Sequence, residues 1–415
     1  MAMLEPWLVP WLPPPPLAGL TRPVPAGGRT PKLCRPRRVA AQAGAMSATA
    51  ASALGLASTA FRRSARGRRA APTKRRAKGG RGERRPENAP GSLFVDETCI
   101  DCDTCRWMAP ETYARANRKS AVVQQPQEGP ATRAALRAMT ACPTGSIRME
   151  KPDPTLGQLL RDPSFLMEPV DVASLPGVFH LGFHSHRSFG ATPWLLVLPG
   201  KERHGILMDA PRFSTRLLKA VEAVCEPKRM VLSHVDDVGD HQKWRDAWPH
   251  LRRVIHVKEV YGPGNWLQDR DLETCEVQLE GEGPWDLEGS NLGSADGSRE
   301  LQLQLLPGHS FGSIALCWRP PDGAFSGSAI FTGDSLAMSG PKPEQGRELG
   351  AATGFPRYNS AGRVLQAQSL RRLPGECGSF EWVLPGHGRR FRSGDASAFE
   401  EFVEGAAREL EAWGD

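Results

Sequence analysis

Nine cysteines occur in 415 residues, and four of them fall in one tight pattern. Cys99, Cys102 and Cys105 are spaced C-x2-C-x2-C, and Cys142 follows after 36 intervening residues, with Pro143 behind it. Three thiolates two residues apart on a turning loop can hold three corners of a [4Fe–4S] cubane, and a distant Cys-Pro can hold the fourth. Pro143 fixes φ and removes an N–H beside that corner. Zinc would ask instead for paired C-x2-C units or histidines. The clustering and the odd total argue for metal ligation over a disulfide framework. A cluster of this kind moves single electrons, so electron transfer is the chemistry expected here.

A second set of candidate ligands stands at the ends of strand-like runs. "RMVLSHV" leads to His234, "RRVIHV" carries His256, "LQLQLLPGHS" leads to His309, "SAIFTGDS" delivers Asp334 and "FEWVLPGHG" delivers His387. Strand ends are rigid, so ligands placed there hold a metal at little ordering cost. Behind His234 the chain reads Val235, Asp236, Asp237, Val238, Gly239, Asp240, His241. Those eight residues offer two imidazoles and three carboxylates.

The first pattern resembles the bacterial-type ferredoxins that hold a single [4Fe–4S] cluster. The resemblance rests on "FVDETCIDCDTC", the "APE" after Cys105 and the closing "ACPTGSI", over about 55 residues. Cys102 fills the slot that is often not Cys in three-iron relatives, which implies four irons. The segments "SHVDDVGDH", "PGHSFGS", "FTGDS" and "LPGHG", in that order, resemble the metallo-β-lactamase superfamily over roughly 235 residues. That resemblance implies a four-layer αββα sandwich with a dinuclear site at one edge, ligated through His309, Asp334 and His387, with Asp334 bridging.

The family pattern His-x-His-x-Asp-His is altered here. A rigid match from His234 puts two ligand slots on Val238 and Gly239, and a match from Asp240–His241 puts one on Val238. Treating two intervening residues as an insertion lets His234, Asp236, Asp240 and His241 fill all four slots, with Asp237 a spare. Carboxylate in place of imidazole hardens the site and favours iron or manganese over zinc. A related swap marks the flavodiiron branch of the superfamily, although no flavodoxin-like segment follows here. Members of this fold without metals also exist, and Asp-rich turns also cap helices. The metal, mono- or dinuclear Fe, Mn or Zn, stays open at this point.

These residues need elements to hold them. "KSAVVQQP" reads as a short strand and "GPATRAALRAMTACP" as a helix delivering Cys142, with Thr132 its expected cap. "GVFHLGFHSHRSFGATPWLLVLPG" reads as two strands, and "STRLLKAVEAVCEP" has helical apolar spacing. His184 and His186 are expected in a loop or toward solvent, His256 in a structural role, and "RYNS" at 357–360 in a loop. Trp244, Trp248, Trp318 and Trp382 are expected in the core. The class is α+β and multidomain: a basic segment at 1–82, a ferredoxin-like domain at 91–150, a Pro-rich link at 151–170 and the sandwich at 171–415.

Residues 1–82 carry 16 of the chain's 53 lysines and arginines but only one of its 46 acids, Glu5. The remainder therefore bears a net charge of −8, against +7 for the whole. An acidic folded part argues against a nucleic-acid surface. No run of 18 apolar residues suggests a membrane span. The Ala/Arg/Ser-rich start has the composition of an organelle transit peptide, with Ser and Ala leaning to the chloroplast and Arg to the mitochondrion. The same composition also suits a disordered tail. Functionally, an oxidoreductase is expected, with an electron donor or acceptor protein as partner. Two alternatives stand beside it: a glyoxalase II-like metallo-hydrolase of a small molecule with a structural or sensory cluster, and a non-catalytic electron carrier with a degenerate metal edge.

Overall fold

The computed structural model describes residues 82–200, 202–263, 270–293, 299–341 and 350–415. The basic start, and with it the transit-peptide expectation, lies outside the described residues apart from Gly82.

The cysteine module is built from β1 (Leu93–Val95), α1 (Thr104–Met108), β2 (Tyr113–Ala116), β3 (Lys119–Val122), α2 (Pro130–Ala141) and β4 (Ile147–Met149). β1 pairs with β4 and β2 with β3, both antiparallel. A small core of Leu93, Val95, Tyr113, Val122, Ala135 and Ile147 fills the space between these strand pairs and α2. Pro130 starts α2, where its missing N–H costs nothing. Thr132 is not the expected cap: the cap position is Gly129, and the Thr132 hydroxyl donates to the Gln127 carbonyl.

The stretch 151–170 is less a free link than the sequence suggests. It holds two short helices, α3 (Leu156–Leu159) and α4 (Pro163–Leu166), and β5 (Met167–Asp171) begins within it. Phe165, Leu166 and Met167 are buried in the same core as Leu136 of α2. Burying a side chain of that size is worth about 1.5–3 kcal/mol, so this segment ties the module down.

The first large sheet continues with β6 (Leu175–Leu181), β7 (Trp194–Val197), β8 (His204–Met208), α5 (Thr215–Val224), β9 (Glu226–Val231), α6 (His241–Ala247), β10 (Arg252–His256), α7 (Val257–Tyr261) and β11 (Val277–Leu279). Its strand order is β11-β10-β9-β8-β7-β6-β5, parallel from β11 to β8 and antiparallel beyond. The second sheet comes from β12 (Leu301–Leu305), β13 (Ile314–Trp318), β14 (Ala329–Gly333), the small pair β15 (Ala337–Met338) and β16 (Ala352–Thr353), α8 (Arg363–Cys377), β17 (Trp382–Pro385), β18 (Phe391–Arg392) and α9 (Ala396–Trp413). Its order is β12-β13-β14-β17-β18, with β15 and β16 paired apart from it.

Period-two alternation assigns the layers. Ile206, Met208 and Val231 face Leu303, Leu316, Phe331 and Leu384 between the sheets. Their neighbours Leu207, Met230 and Leu232 face the other way, against Leu217 and Val221 of α5 and Trp244 of α6. Ile330 and Val383 likewise turn outward to Leu370 of α8 and Phe399, Val403 and Leu410 of α9. Both faces of the central strands are covered, which is why they read as continuous apolar runs. The result is a four-layer αββα sandwich, and Trp244, Trp248, Trp318 and Trp382 are all buried in it, as expected. Among the described residues no helix is long and apolar enough to cross a membrane.

Candidate metal centres

Cys99, Cys102, Cys105 and Cys142 line one cavity, with Val95, Ile100 and Ile147 as its apolar wall. All four are free thiols. The loop that carries the first three turns tightly through Asp101 and Asp103, both with left-handed φ. Arg106, buried, holds those turns through Asp101 at 2.8 Å and Asp103 at 2.6 Å. The Ser146 N–H donates to Cys142 Sγ at 3.3 Å. Burial pushes the Cys102 thiol up to about 11 and Cys105 well above its ordinary value. Four convergent sulfurs, two of them in thiols that burial makes reluctant to ionise unaided, fit a cationic iron cluster, whose charge stabilises thiolate.

At the edge of the sandwich, the strand ends bring His234, Asp236, Asp237, His309, Asp334 and His387 together. Ligand atoms of His234, Asp236 and His309 lie within 4.8 Å of one another, as do those of His234, Asp237 and Asp334. Asp334 Oδ2 stands 3.7 Å from His309 Nε2 and 4.0 Å from His387 Nε2, and Asp237 Oδ1 stands 3.6 Å from His387 Nε2. His234 Nε2, both oxygens of Asp237, His309 Nδ1 and Asp334 Oδ1 are buried without a hydrogen bond. Buried polar atoms are rarely left so, and a bound cation would satisfy them together.

Two expected ligands lie elsewhere. Asp240 accepts from the Phe213 N–H at 2.9 Å and pairs with Lys243 and Arg187, which fixes the turn before α6. His241 lies on α6 with its Nδ1 3.1 Å from Arg253, inside a network with Gln242 and Glu276. Asp237, which the sequence offered only as a spare, enters the cluster beside Asp236. The short turn Val235–Asp237 swings it inward directly behind His234. Gly386 makes room: a Cβ there would meet Asp237 Oδ2 at 2.8 Å and Asp334 Oδ1 at 3.0 Å.

Other residues support these ligands, and the sequence patterns flagged neither Glu259 nor Asp209 among them. Buried Glu259 accepts from the N–H groups of Val235 and Gly312 and from the Ser310 hydroxyl, tying two ligand loops together. Asp209 accepts from the Ser233 N–H at 2.7 Å, and Ser233 Oγ is 2.9 Å from His234 Nδ1. Ser360, in the "RYNS" loop, donates twice to the His309 carbonyl. His256 caps α7 through Nδ1 and reaches the Gly281 carbonyl through Nε2, the structural role expected of it.

Residues 95–149 match the family model described as the 4Fe-4S single cluster domain of ferredoxin I. They form a single-cluster 4Fe–4S ferredoxin domain. The four cysteines of the cavity above all fall within that match. No curated protein gives a significant sequence match. Among solved structures, the chain is similar to TMB-1 at 14% identity and a TM-score of 0.41, over 59% of this chain and 97% of that one. It is also similar to the DIM-1 metallo-β-lactamase, at 15% identity and 0.40 over 59% and 96%, and at 14% and 0.41 over 59% and 96% for the form exposed to ceftazidime. Its own packing shows helices covering the outer faces of two facing sheets, an αββα order.

The ferredoxin domain sits on the sandwich at the same edge. Gly190 packs against the cluster loop, and a Cβ there would meet Pro143 Cγ at 3.0 Å and Cys102 Cβ at 3.2 Å. Arg389 and Arg212 reach Asp103 and the Thr140 carbonyl at 2.7 and 2.8 Å. His184, expected in a loop or toward solvent, is wholly buried beneath this contact, while His186 is exposed.

The electrostatics of the edge ask for positive charge. Burial pushes the Asp209 carboxyl up to about 7, and burial with the neighbouring Asp334 pushes Asp237 well above the usual carboxylate range. Burial lowers His387, but Asp334 and Asp237 outweigh it and lift the imidazole to about 10. His234 is driven down to about 3 by burial and by His309. A set of carboxylates that cannot all ionise alone can do so around a cation.

Proposed function

We propose that the protein is an oxidoreductase in which the ferredoxin domain exchanges single electrons with a metal centre held at the sandwich edge by His234, Asp236, Asp237, His309, Asp334 and His387. The observation that carries this reading is the seat of the Cys102 loop. From Cys102 the contact passes to Gly190; two residues on, the Thr192 N–H donates to the Gly386 carbonyl at 2.6 Å, and His387 is the next residue. A short run of packed and hydrogen-bonded backbone thus joins the cluster loop to the edge. The cluster, when bound, supplies one electron at a time. The chain's own residues fix its loop and present a mixed imidazole–carboxylate set that suits iron or manganese.

Anaerobic metal analysis and stopped-flow reoxidation test the reading together. The wild type should hold iron or manganese beyond about four irons per chain. Its dithionite-reduced cluster should reoxidise faster than that of His309→Ala, while Cys142→Ser should lose the visible chromophore. Equal reoxidation rates in wild type and His309→Ala would overturn it.

Three imidazoles at one edge also suit zinc, which supports the hydrolase as a second reading. It would be favoured by zinc at the edge and by thioester hydrolysis that survives Cys142→Ser. We further propose the chloroplast as the destination of the chain; a fluorescent protein fused behind residues 1–82 that stays in the cytosol or enters mitochondria would refute it.

A further inference from the structure

Two buried histidines lie under the cluster loop and take no part in either set of ligands. His180, on β6, and His184, just beyond it, are both fully buried, and their Nε2 atoms are 2.8 Å apart. One of the two nitrogens must donate. His184 Nδ1 is 3.0 Å from the Gly190 carbonyl, which can only accept, so that nitrogen carries the proton. The neutral ring then has a bare Nε2, and His180 Nε2 is the donor to it. His180 Nδ1 is left without a proton. It is buried, makes no hydrogen bond and stands 3.7 Å from Glu168 Oε2. Two acceptors thus face each other with room for one more proton.

The pair reaches in both directions. Thr104 Oγ1 lies 3.4 Å from His184 Nδ1 and 3.5 Å from Cys102 Sγ, so a ligating thiolate and the imidazole share one hydroxyl. Outward, the Glu168 side chain is 30% exposed and is paired with Arg137 at 2.5 Å. The other groups facing His180 are the rings of Trp107 and Trp194 and the charge of Arg390. Those bearing on His184 are Arg212 and His387. Burial lowers the proton affinity of His180, against the pull of Glu168. A negative charge added beside Thr104 raises the proton affinity of the nearest base.

We infer that His180 and His184 form a redox-linked proton site, which takes one proton from water by way of Glu168 when a one-electron donor reduces the ferredoxin domain. The donor loses one electron, the domain gains it, and the proton lands on His180 Nδ1, so the net charge of the protein does not change. Reoxidation returns the proton to solvent. This rests on the electron-transfer reading above.

The test is a redox titration of the anaerobically prepared full chain, followed by the EPR signal of the reduced cluster between about pH 5.5 and pH 9, the range a histidine spans. The midpoint potential should fall with rising pH, at its steepest by about 59 mV per tenfold change in proton concentration. His180→Gln keeps a donor toward His184 but has no second basic nitrogen; it should keep the cluster and lose the slope. Glu168→Gln, on the exposed side, should keep the slope and move it to lower pH, and it carries the test if His180→Gln fails to fold. A potential that is flat with pH in the wild type, or a slope unchanged in His180→Gln, overturns the proton site. An unmoved window in Glu168→Gln overturns the part given to Glu168. A domain that no one-electron donor reduces sinks the electron-transfer reading itself.

Discussion

Arg389 grips Asp103 with two hydrogen bonds, Nε to Oδ2 at 2.7 Å and Nη2 to Oδ1 at 3.2 Å. Asp103 stands between the second and third cysteines of the cluster loop, and Arg389 two residues beyond His387. The backbone of Arg389 is itself pinned by a reciprocal pair of hydrogen bonds with Met338. The bridge therefore fixes the cluster loop to the edge that gathers the second set of ligands.

Arg389→Met should loosen that junction. Stranding a buried charge costs about 3–5 kcal/mol, but Arg106 still pairs with Asp103, so a loss of about 1–3 kcal/mol is expected. Urea denaturation gives the number, and the reoxidation rate of the cluster should fall with it. A variant as stable as the wild type would show that the bridge does not hold the junction.

The same bridge sets an acid limit. Burial raises the Asp103 carboxyl, but Arg389 and Arg106 outweigh it and hold it below its usual 3.8. A carboxylate lowered on folding contributes stability above its unfolded value, and the contribution is lost as pH falls through the folded value. The stability gap between wild type and Asp103→Asn should be constant from neutral pH down to about 4 and close below that. A gap that widens on acidification would contradict the assignment.

At the edge, Asp237→Ala and His309→Ala should each remove metal beyond the cluster and leave the chromophore. Asp240→Ala should leave both. It should cost about 1–3 kcal/mol, because the half-buried N–H of Phe213 loses its acceptor. Metal content by mass spectrometry separates the three. Loss of metal in Asp240→Ala with full retention in Asp237→Ala would restore the sequence-based choice of ligand.

Gly386→Ala tests the packing of the pair. Its Cβ would crowd Asp237 and Asp334 at 2.8 and 3.0 Å, forcing both carboxylates to shift. Misplaced ligands typically lose about 10–100-fold in metal affinity, so a chelator competition should show a drop of that size. Unchanged affinity would mean that the two carboxylates do not act together.

The chain's local patterns settle more here than its turns do. C-x2-C-x2-C with a distant Cys-Pro names a cubane site because four ligands must come from one short loop and one helix end, and both are local. The apolar runs at 206–208 and 230–232 announce strands buried on both faces. His309, Asp334 and His387 were legible because each lies within four residues of a strand's end. The segment after His234 was not. Asp236, Asp237, Asp240 and His241 differ only in how a tight turn aims them, and spacing carries no information about that. His184 does lie in a loop, but nothing local reveals that a second domain buries it.

Sequence alone therefore pointed to the four clustered cysteines and to the strand ends on which the second site is built, since each depends on spacing and periodicity within one segment; the layer order came only as what the resemblance implied. Only the tertiary structure decided that Asp237 turns inward while Asp240 and His241 turn away, and that Asp103 meets Arg389 across 286 residues of chain. Those contacts are set by packing between distant segments, where burial and charge pairing choose among side chains that the sequence presents as equals.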